Sequence, residues 1–283
     1  MTIATTGKFA PVESPTHYPP LKVNEDTYLI RDIYGEGTEP GAVYINSLVI
    51  LAKEPVIVDT GTVANRRRWL EDVFGLVEPK DVRWIFISHD DHDHTGNLEP
   101  VLEMCPDAKL VTNWWQVERL IGDYSLPMGR MRWVNDGDSF DAGDRRLAAI
   151  RPPVFDSPTT RGLYDAKRGL YWAGDSFATL IPGPIENVAE MDHDFYSQWF
   201  AALHSMISPW HTMLDATKFG RSVDRIAELD LRTVVGGHSP VTSGNQIQEA
   251  LAMLRNLPFQ EAAPLPGQAD LDAIIASMTG VAA

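Results

Sequence analysis

Ser88-His89-Asp90-Asp91-His92-Asp93-His94-Thr95-Gly96-Asn97 sets six consecutive potential metal ligands, His89 to His94, between two very different neighbours. Before it, Arg83-Trp84-Ile85-Phe86-Ile87-Ser88 has the length and composition of a buried strand, and a helix is expected from near Thr95 toward Met104. Polar groups at the end of a core strand need partners. A cation satisfies several imidazoles and carboxylates at once without leaving an unpaired charge. Taken alone, the run is equally well a polar loop that solvates or caps the following helix.

Three other strand ends point the same way. Asp59-Thr60-Gly61 closes the apolar run Pro55 to Val58, Gly174-Asp175 closes Leu170 to Ala173, and Gly237-His238 closes Thr233 to Val235. Singly, these are a turn residue, a helix cap and a loop histidine; jointly, they let several strands aim side chains at one sheet edge. Further strands are expected at Thr27–Asp32, Val43–Ala52 and Ala108–Thr112, with a meander from Met131 to Ile150. Helices are expected at Val63–Phe74, Trp114–Ile121 and Ile247–Leu254, with a mostly helical stretch from Phe195 to Ile226. The arginines Arg66, Arg67 and Arg68 fall on the solvent face of the first. Residues 1–24, rich in proline, read as an extended arm over the surface, and residues 25–283 as one layered α/β domain.

Composition narrows the chemistry. The 283 residues carry 24 Lys and Arg against 39 Asp and Glu, a formal charge of −15, which argues against nucleic-acid partners. One cysteine, Cys105, excludes an internal disulfide or thiolate cluster, so any metal is held by His and carboxylate. The first twenty residues lack a secretory pattern, and no apolar run approaches the roughly 20 residues that span a bilayer. A cytoplasmic protein is the expectation. Neither the nucleophile elbow nor a phosphate-binding or dinucleotide-binding glycine loop is present.

With these residues in view, the sequence resembles the metallo-β-lactamase superfamily, whose signature is His-x-His-x-Asp-His with a strand-ending Asp upstream and further ligands downstream. His89, Asp91, Asp93 and His94 occupy the signature positions, and Asp175 and His238 match the bridging carboxylate and the final histidine. Asp91 stands where most members have histidine. A carboxylate there, together with Phe195 to Pro209, is similar to the flavodiiron and oxygen-binding diiron branch. The resemblance spans roughly Thr27 to Leu257. It implies a four-layer αββα sandwich with the metals at one edge of its two sheets.

It also implies a first metal on His89 and Asp91, a second on Asp93, His94 and His238, and Asp175 between them. Asp93 and His238 are the candidate catalytic residues. Asp59, His92 and Asp156 are expected to support the ligands rather than bind metal. The family's further histidine is missing from Arg151-Pro152-Pro153-Val154-Phe155-Asp156-Ser157-Pro158; Asp156 is the nearest replacement, with His92, His193 or water as others, so partial occupancy of the first site is expected. Three histidines and three carboxylates favour iron, with zinc or manganese as alternatives.

The leading functional expectation is a diiron protein that binds or reduces a small diatomic, O2 or NO. Similar full-length enzymes carry a flavodoxin-like module after this domain; the 26 residues after Leu257 hold none, so an external electron donor is expected. Diiron relatives are often homodimers. The alternative is a metal-dependent hydrolase of an ester, thioester or amide-like substrate, in which metal lowers the pKa of water from about 15.7 towards 7. A third reading is a binding protein with one structural metal.

Overall fold

The computed structural model describes residues 14–279. Seven strands form one sheet in sequence order: β1 (Thr16–Lys22), β2 (Thr27–Tyr34), β3 (Val43–Ile50), β4 (Val56–Val58), β5 (Trp84–Phe86), β6 (Lys109–Thr112) and β7 (Met131–Trp133). β1 to β4 run antiparallel, and β4 to β7 are parallel. A second sheet is ordered β13-β12-β11-β10-β9-β8, from β8 (Ser139–Asp141), β9 (Arg146–Ile150), β10 (Gly162–Asp165), β11 (Leu170–Trp172), β12 (Thr233–Val235) and β13 (Thr242–Ser243). Its one parallel pair is β11 with β12.

The layers follow from where alternate side chains go. In the first sheet Leu48, Ile50, Val56, Val58, Phe86 and Val111 point inward, against Phe140, Leu147, Leu163, Leu170 and Trp172 of the second. Their neighbours Val49, Ile57, Ile85 and Leu110 face the other way. These meet α1 (Arg66–Leu76) through Trp69 and Val73, and α3 (Leu98–Met104) through Leu98 and Val101. On the second sheet Tyr171 and Val234 turn outward onto α5 (His193–Ile207), α6 (Ala216–Ala227) and α7 (Asn245–Asn256). A strand apolar at every position must be covered on both faces, because each such side chain buried contributes roughly 1.5–3 kcal/mol. The result is the expected αββα order. Two short helices, α2 (His92–Thr95) and α4 (Trp114–Leu120), complete the first half, and α8 (Gln268–Thr279) follows beyond the last expected helix. Among the described residues no helix is long and apolar enough to cross a membrane.

Three expectations change. Thr16–Lys22, expected within the extended arm, pairs with β2 as an edge strand; its register shifts between Tyr18 and Leu21, which places Pro19 and Pro20 in the irregularity. An edge strand with a bulge is where proline costs no ladder bond. The part of the arm in residues 1–13 lies outside the described residues. The meander expected from Met131 to Ile150 is divided between the sheets, since β7 pairs parallel with β6 in the first and β8 pairs with β9 in the second; the stretch Phe195 to Ile226 is mostly helical as expected, with α5 ending before Ser208 and Pro209 because a proline has no N–H to donate and disfavours helix in the residue before it. The helix near Thr95 breaks at Gly96 and Asn97. A Cβ on Gly96 would lie 2.6 Å from the Gly61 carbonyl oxygen, so close packing against the Asp59–Gly61 turn requires glycine there.

β1 is pinned by His17. Its Nδ1 lies 2.8 Å from Asp32 Oδ1 and its Nε2 2.8 Å from Asp72 Oδ2, linking the edge strand to β2 and α1. The Asp32 bond raises the His17 pKa, burial opposes it, and Asp72 adds to the rise. The stabilisation is therefore full below the unfolded value of 6.5 and is lost as pH climbs through the raised folded value. As pH rises past 6.5, the thermal midpoint of the wild type should fall more steeply than that of His17→Gln. Parallel curves would show that the contact carries no such linkage.

Candidate metal centre

Parallel strands end at the same edge, and four of them carry the site. Asp59 follows β4, His89 follows β5, Asp175 follows β11 and His238 follows β12. Side chains of the loop from His89 to His94, of these strand ends and of the loop between β9 and β10 form three groups whose potential ligand atoms lie within 4.8 Å of one another. These are His89, His94 and Asp175; Asp93, His94 and His238; and His89, Asp91 and Asp156. Gly237 makes room for the second: a Cβ there would sit 2.6 Å from His94 Cε1.

The hydrogen bonds decide which way each imidazole faces. The Tyr44 carbonyl can only accept, so His238 Nδ1, 2.7 Å away, carries the proton. His94 Nδ1 lies 2.9 Å from Asp59 Oδ2. Ser88 donates its hydroxyl to Asp59 at 2.6 Å and is thereby free to accept from His89 Nδ1 at 3.1 Å. All three rings are thus held by Nδ1 and direct Nε2 inward, the arrangement in which supporting residues orient metal-binding histidines. Asp59 is central to it. Fully buried, with φ at 56°, it also accepts the Ser88 N–H at 2.6 Å and the Trp172 indole at 3.1 Å.

Inside the cage, lone pairs face carboxylates. His94 Nε2 is 3.0 Å from Asp175 Oδ1 and 3.6 Å from Asp93 Oδ2. His238 Nε2 is 3.3 Å from Asp93 Oδ2 and 3.4 Å from Asp175 Oδ1, and His89 Nε2 is 3.4 Å from Asp175 Oδ2. The Nε2 atoms of His89 and His94 and Oδ1 of Asp175 are buried and make no hydrogen bond among the described residues. Burial opposes charge on His94, but Asp93, Asp175 and Asp59 outweigh it and raise its pKa well above the ordinary value. The same balance, set by Asp175 and Asp93, lifts His238 to about 9. For Asp175, burial is outweighed by His89, His238 and His94, which hold its carboxyl well below the usual range. Positive charge between these groups is what the cage lacks, and protons on Nε2 or a cation supply it. A donor set of three imidazoles with Asp91, Asp93 and Asp175 fits a pair of divalent ions.

Other members of the run from His89 to His94 fall differently. Asp90 turns from the cage and accepts Thr159 Oγ1 at 2.6 Å and Ser157 Oγ at 2.9 Å, with Arg119 as its ion pair. It clasps the loop that carries Asp156, a role unreadable from sequence because Asp90 and Ser157 are 67 positions apart. Asp156, expected as a support or replacement ligand, reaches His89 and Asp91. Asp156 is exposed as a residue, but the side of its carboxyl that faces the cage is shielded from water; that desolvation and then the Asp175 carboxylate, with Asp91 adding, push its pKa up to about 6, against His89. His92 is exposed and outside all three groups, and His193 pairs with Glu249 at 2.6 Å on the α5–α7 face. Arg66, read as solvent-facing, donates Nε to Asn97 Oδ1 at 2.9 Å and Nη2 to the Gly96 carbonyl at 3.0 Å.

His204 is a support that spacing could not reveal. Phe177, two residues past Asp175, has φ at 68°, and its N–H donates to His204 Nε2 at 2.9 Å. His204 Nδ1 in turn donates to the Phe200 carbonyl at 2.6 Å, and burial lowers the ring's pKa to about 4. A neutral imidazole therefore holds the turn that presents Asp175.

Two cavities meet at Asp93. One, of about 470 Å³, has Asp93 and His238 with Tyr34, Val43, Ile45 and Ala64 around it. The other, of about 640 Å³, is lined by Asp90, Asp91, His92, Asp93, Arg119 and Asp123. An apolar approach thus reaches one side of the cage and an acidic approach the other.

Residues 43–239 match the family described as "ODP family beta lactamase". Among curated relatives, the putative diflavin flavoprotein A 1 of Nostoc is 25% identical over 230 residues, 80% of this chain and 38% of the relative. The chain spans less than half the length of the curated relatives it matches. Among solved structures, rubredoxin oxygen:oxidoreductase from Desulfovibrio gigas superposes with a TM-score of 0.74 at 15% identity, covering 85% of this chain and 62% of that one. The flavodiiron protein from Giardia intestinalis gives 0.74 at 16% identity, with 86% and 60% covered. Both share the fold.

Proposed function

Because the chain belongs to the ODP beta-lactamase family, we propose that it holds a dinuclear metal centre, iron by preference, and uses it to bind or reduce a small diatomic, O2 or NO. His89 and Asp91 hold the first ion, Asp93, His94 and His238 the second, and Asp175 lies between them. One observation carries this reading: three Nδ1-anchored imidazoles present Nε2 to a single buried carboxylate, with three of the atoms unpaired. Iron at such a site supplies electrons and open coordination positions for a diatomic.

The residues supply placement and environment. Asp59, Ser88 and the Tyr44 carbonyl fix the three rings, so that none of the three imidazoles has to reorient on binding. Asp93 and His238 border the apolar cavity and stand nearest to what enters it. Tyr34, Val43 and Ile45 favour an uncharged, poorly hydrated ligand over a polar one. Reduction further requires an electron donor.

Protein reconstituted anaerobically with Fe(II) should change its visible absorption on exposure to O2 or NO, and consume the gas when given an artificial reductant. Two tightly held zinc ions, indifference to both gases and turnover of esters or thioesters would overturn the proposal. That second reading, a metal-dependent hydrolase, is favoured by the size of the apolar cavity, about 470 Å³, which exceeds what a diatomic needs.

A further inference from the structure

The loop between β9 and β10 brings Asp156 beside His89 and Asp91. It is exposed, forms no ion pair with a basic side chain among the described residues, and lies on a segment held by its neighbours. Ser157 and Thr159 both donate to Asp90, Thr159 lies 2.8 Å from Ser157 through their hydroxyls, and the Arg161 N–H bonds the Ser88 carbonyl at 2.8 Å. These contacts anchor the loop just after Asp156 directly to the segment that carries His89 and Asp91. Facing them is His89, 0% exposed, whose Nε2 is buried without a hydrogen-bond partner. A potential ligand atom from each of His89, Asp91 and Asp156 lies within 4.8 Å of the others.

We infer that Asp156 is a direct ligand of the first metal, so that the two sites of the pair differ in kind: the first is held by one imidazole and the carboxylates of Asp91, Asp156 and Asp175, the second by two imidazoles with Asp93 and Asp175. This rests on the dinuclear reading and extends it to metal selection. Carboxylates suit harder cations and imidazole suits zinc, so the oxygen-rich first site has the smaller preference for Zn2+ over Mn2+ and the second the larger. Asp90, which accepts from the hydroxyls of Ser157 and Thr159 just after Asp156, is a positioning residue for that ligand. The sites also differ in approach, since Asp91 borders the acidic cavity and His238 the apolar one.

The test uses the metal-free full chain titrated with Mn2+ and with Zn2+, read by calorimetry and by Mn2+ paramagnetic resonance, with circular dichroism to confirm the fold. Wild type should take two equivalents. Asp156→Asn, nearly the same shape, should keep one and bind the other at least about tenfold more weakly. Asp156→His should restore the second equivalent while raising its Zn2+-to-Mn2+ affinity ratio by about tenfold or more. Two equivalents in Asp156→Asn with wild-type affinities would overturn the assignment of Asp156 and leave the dinuclear reading standing. A single equivalent in wild type, unchanged in Asp156→Asn, would overturn both.

Discussion

Asp175→Asn should fold and lose both metals. The substitution keeps volume and shape but removes the charge faced by Nε2 of His89, His94 and His238, at 3.4, 3.0 and 3.4 Å. Supporting residues around a metal commonly account for about 10–100-fold in affinity, so a ligand shared by two sites should cost more than about 100-fold at each. The loss should be joint: a carboxylate serving only one site would leave the other loaded. Metal content of the purified variant, with the circular dichroism spectrum as the control for folding, reads the result. Full retention of either ion would defeat the assignment of Asp175 to both.

The second large effect concerns stability at the far edge of the sandwich. Arg145 sits just before β9 with its side chain 2% exposed; it bonds Asp165 at 2.9 Å at the end of β10, Asp144 at 3.0 Å and Asp26 at 2.6 Å in the turn before β2. One guanidinium thus joins both sheets. Burial favours the protonated form of Asp26, but Arg145 and Arg168 outweigh it and hold its pKa at about 2. Removing the arginine leaves the buried Asp165 without its cation, a change that typically costs about 3–5 kcal/mol. Arg145→Met should therefore lower the melting temperature by on the order of 10 °C at neutral pH. Part of the gap follows Asp26: its stabilisation is present above the unfolded value of 3.8 and is lost as pH falls through about 2, so the gap should narrow in acid. Adding Asp165→Leu should recover part of the loss, and metal content should not change. A double variant less stable than Arg145→Met would show that the uncompensated carboxylate is not the cause.

The contrast between these regions explains what could be read from the sequence. Strand ends were legible because β4, β5 and β11 are unbroken apolar runs and β12 a short β-branched one, each followed within three residues by an Asp or His, and parallel strands must deliver those residues to one edge. A layered α/β domain was legible for the same reason, since runs such as Val56-Ile57-Val58 have no polar face to leave in water, whereas the four-layer order came from the family resemblance. Supporting contacts were not, because they join residues distant in sequence. Asp90 with Thr159 spans 69 positions, Asp59 with Trp172 spans 113, and His238 with the Tyr44 carbonyl spans 194. His204 had the spacing of a core histidine, and only the backbone of Phe177 shows what it holds. The prolines of β1 concealed an edge strand, since proline argues against a central strand yet is tolerated at a bulge.

The most direct test is to purify the protein anaerobically, count its metals and locate them by anomalous diffraction at the iron edge. The account predicts two iron peaks, with Asp175 between them, Nε2 of His89 on one, and Nε2 of His94 and His238 on the other. A single ion, or a pair bound away from these Nε2 atoms, would contradict it.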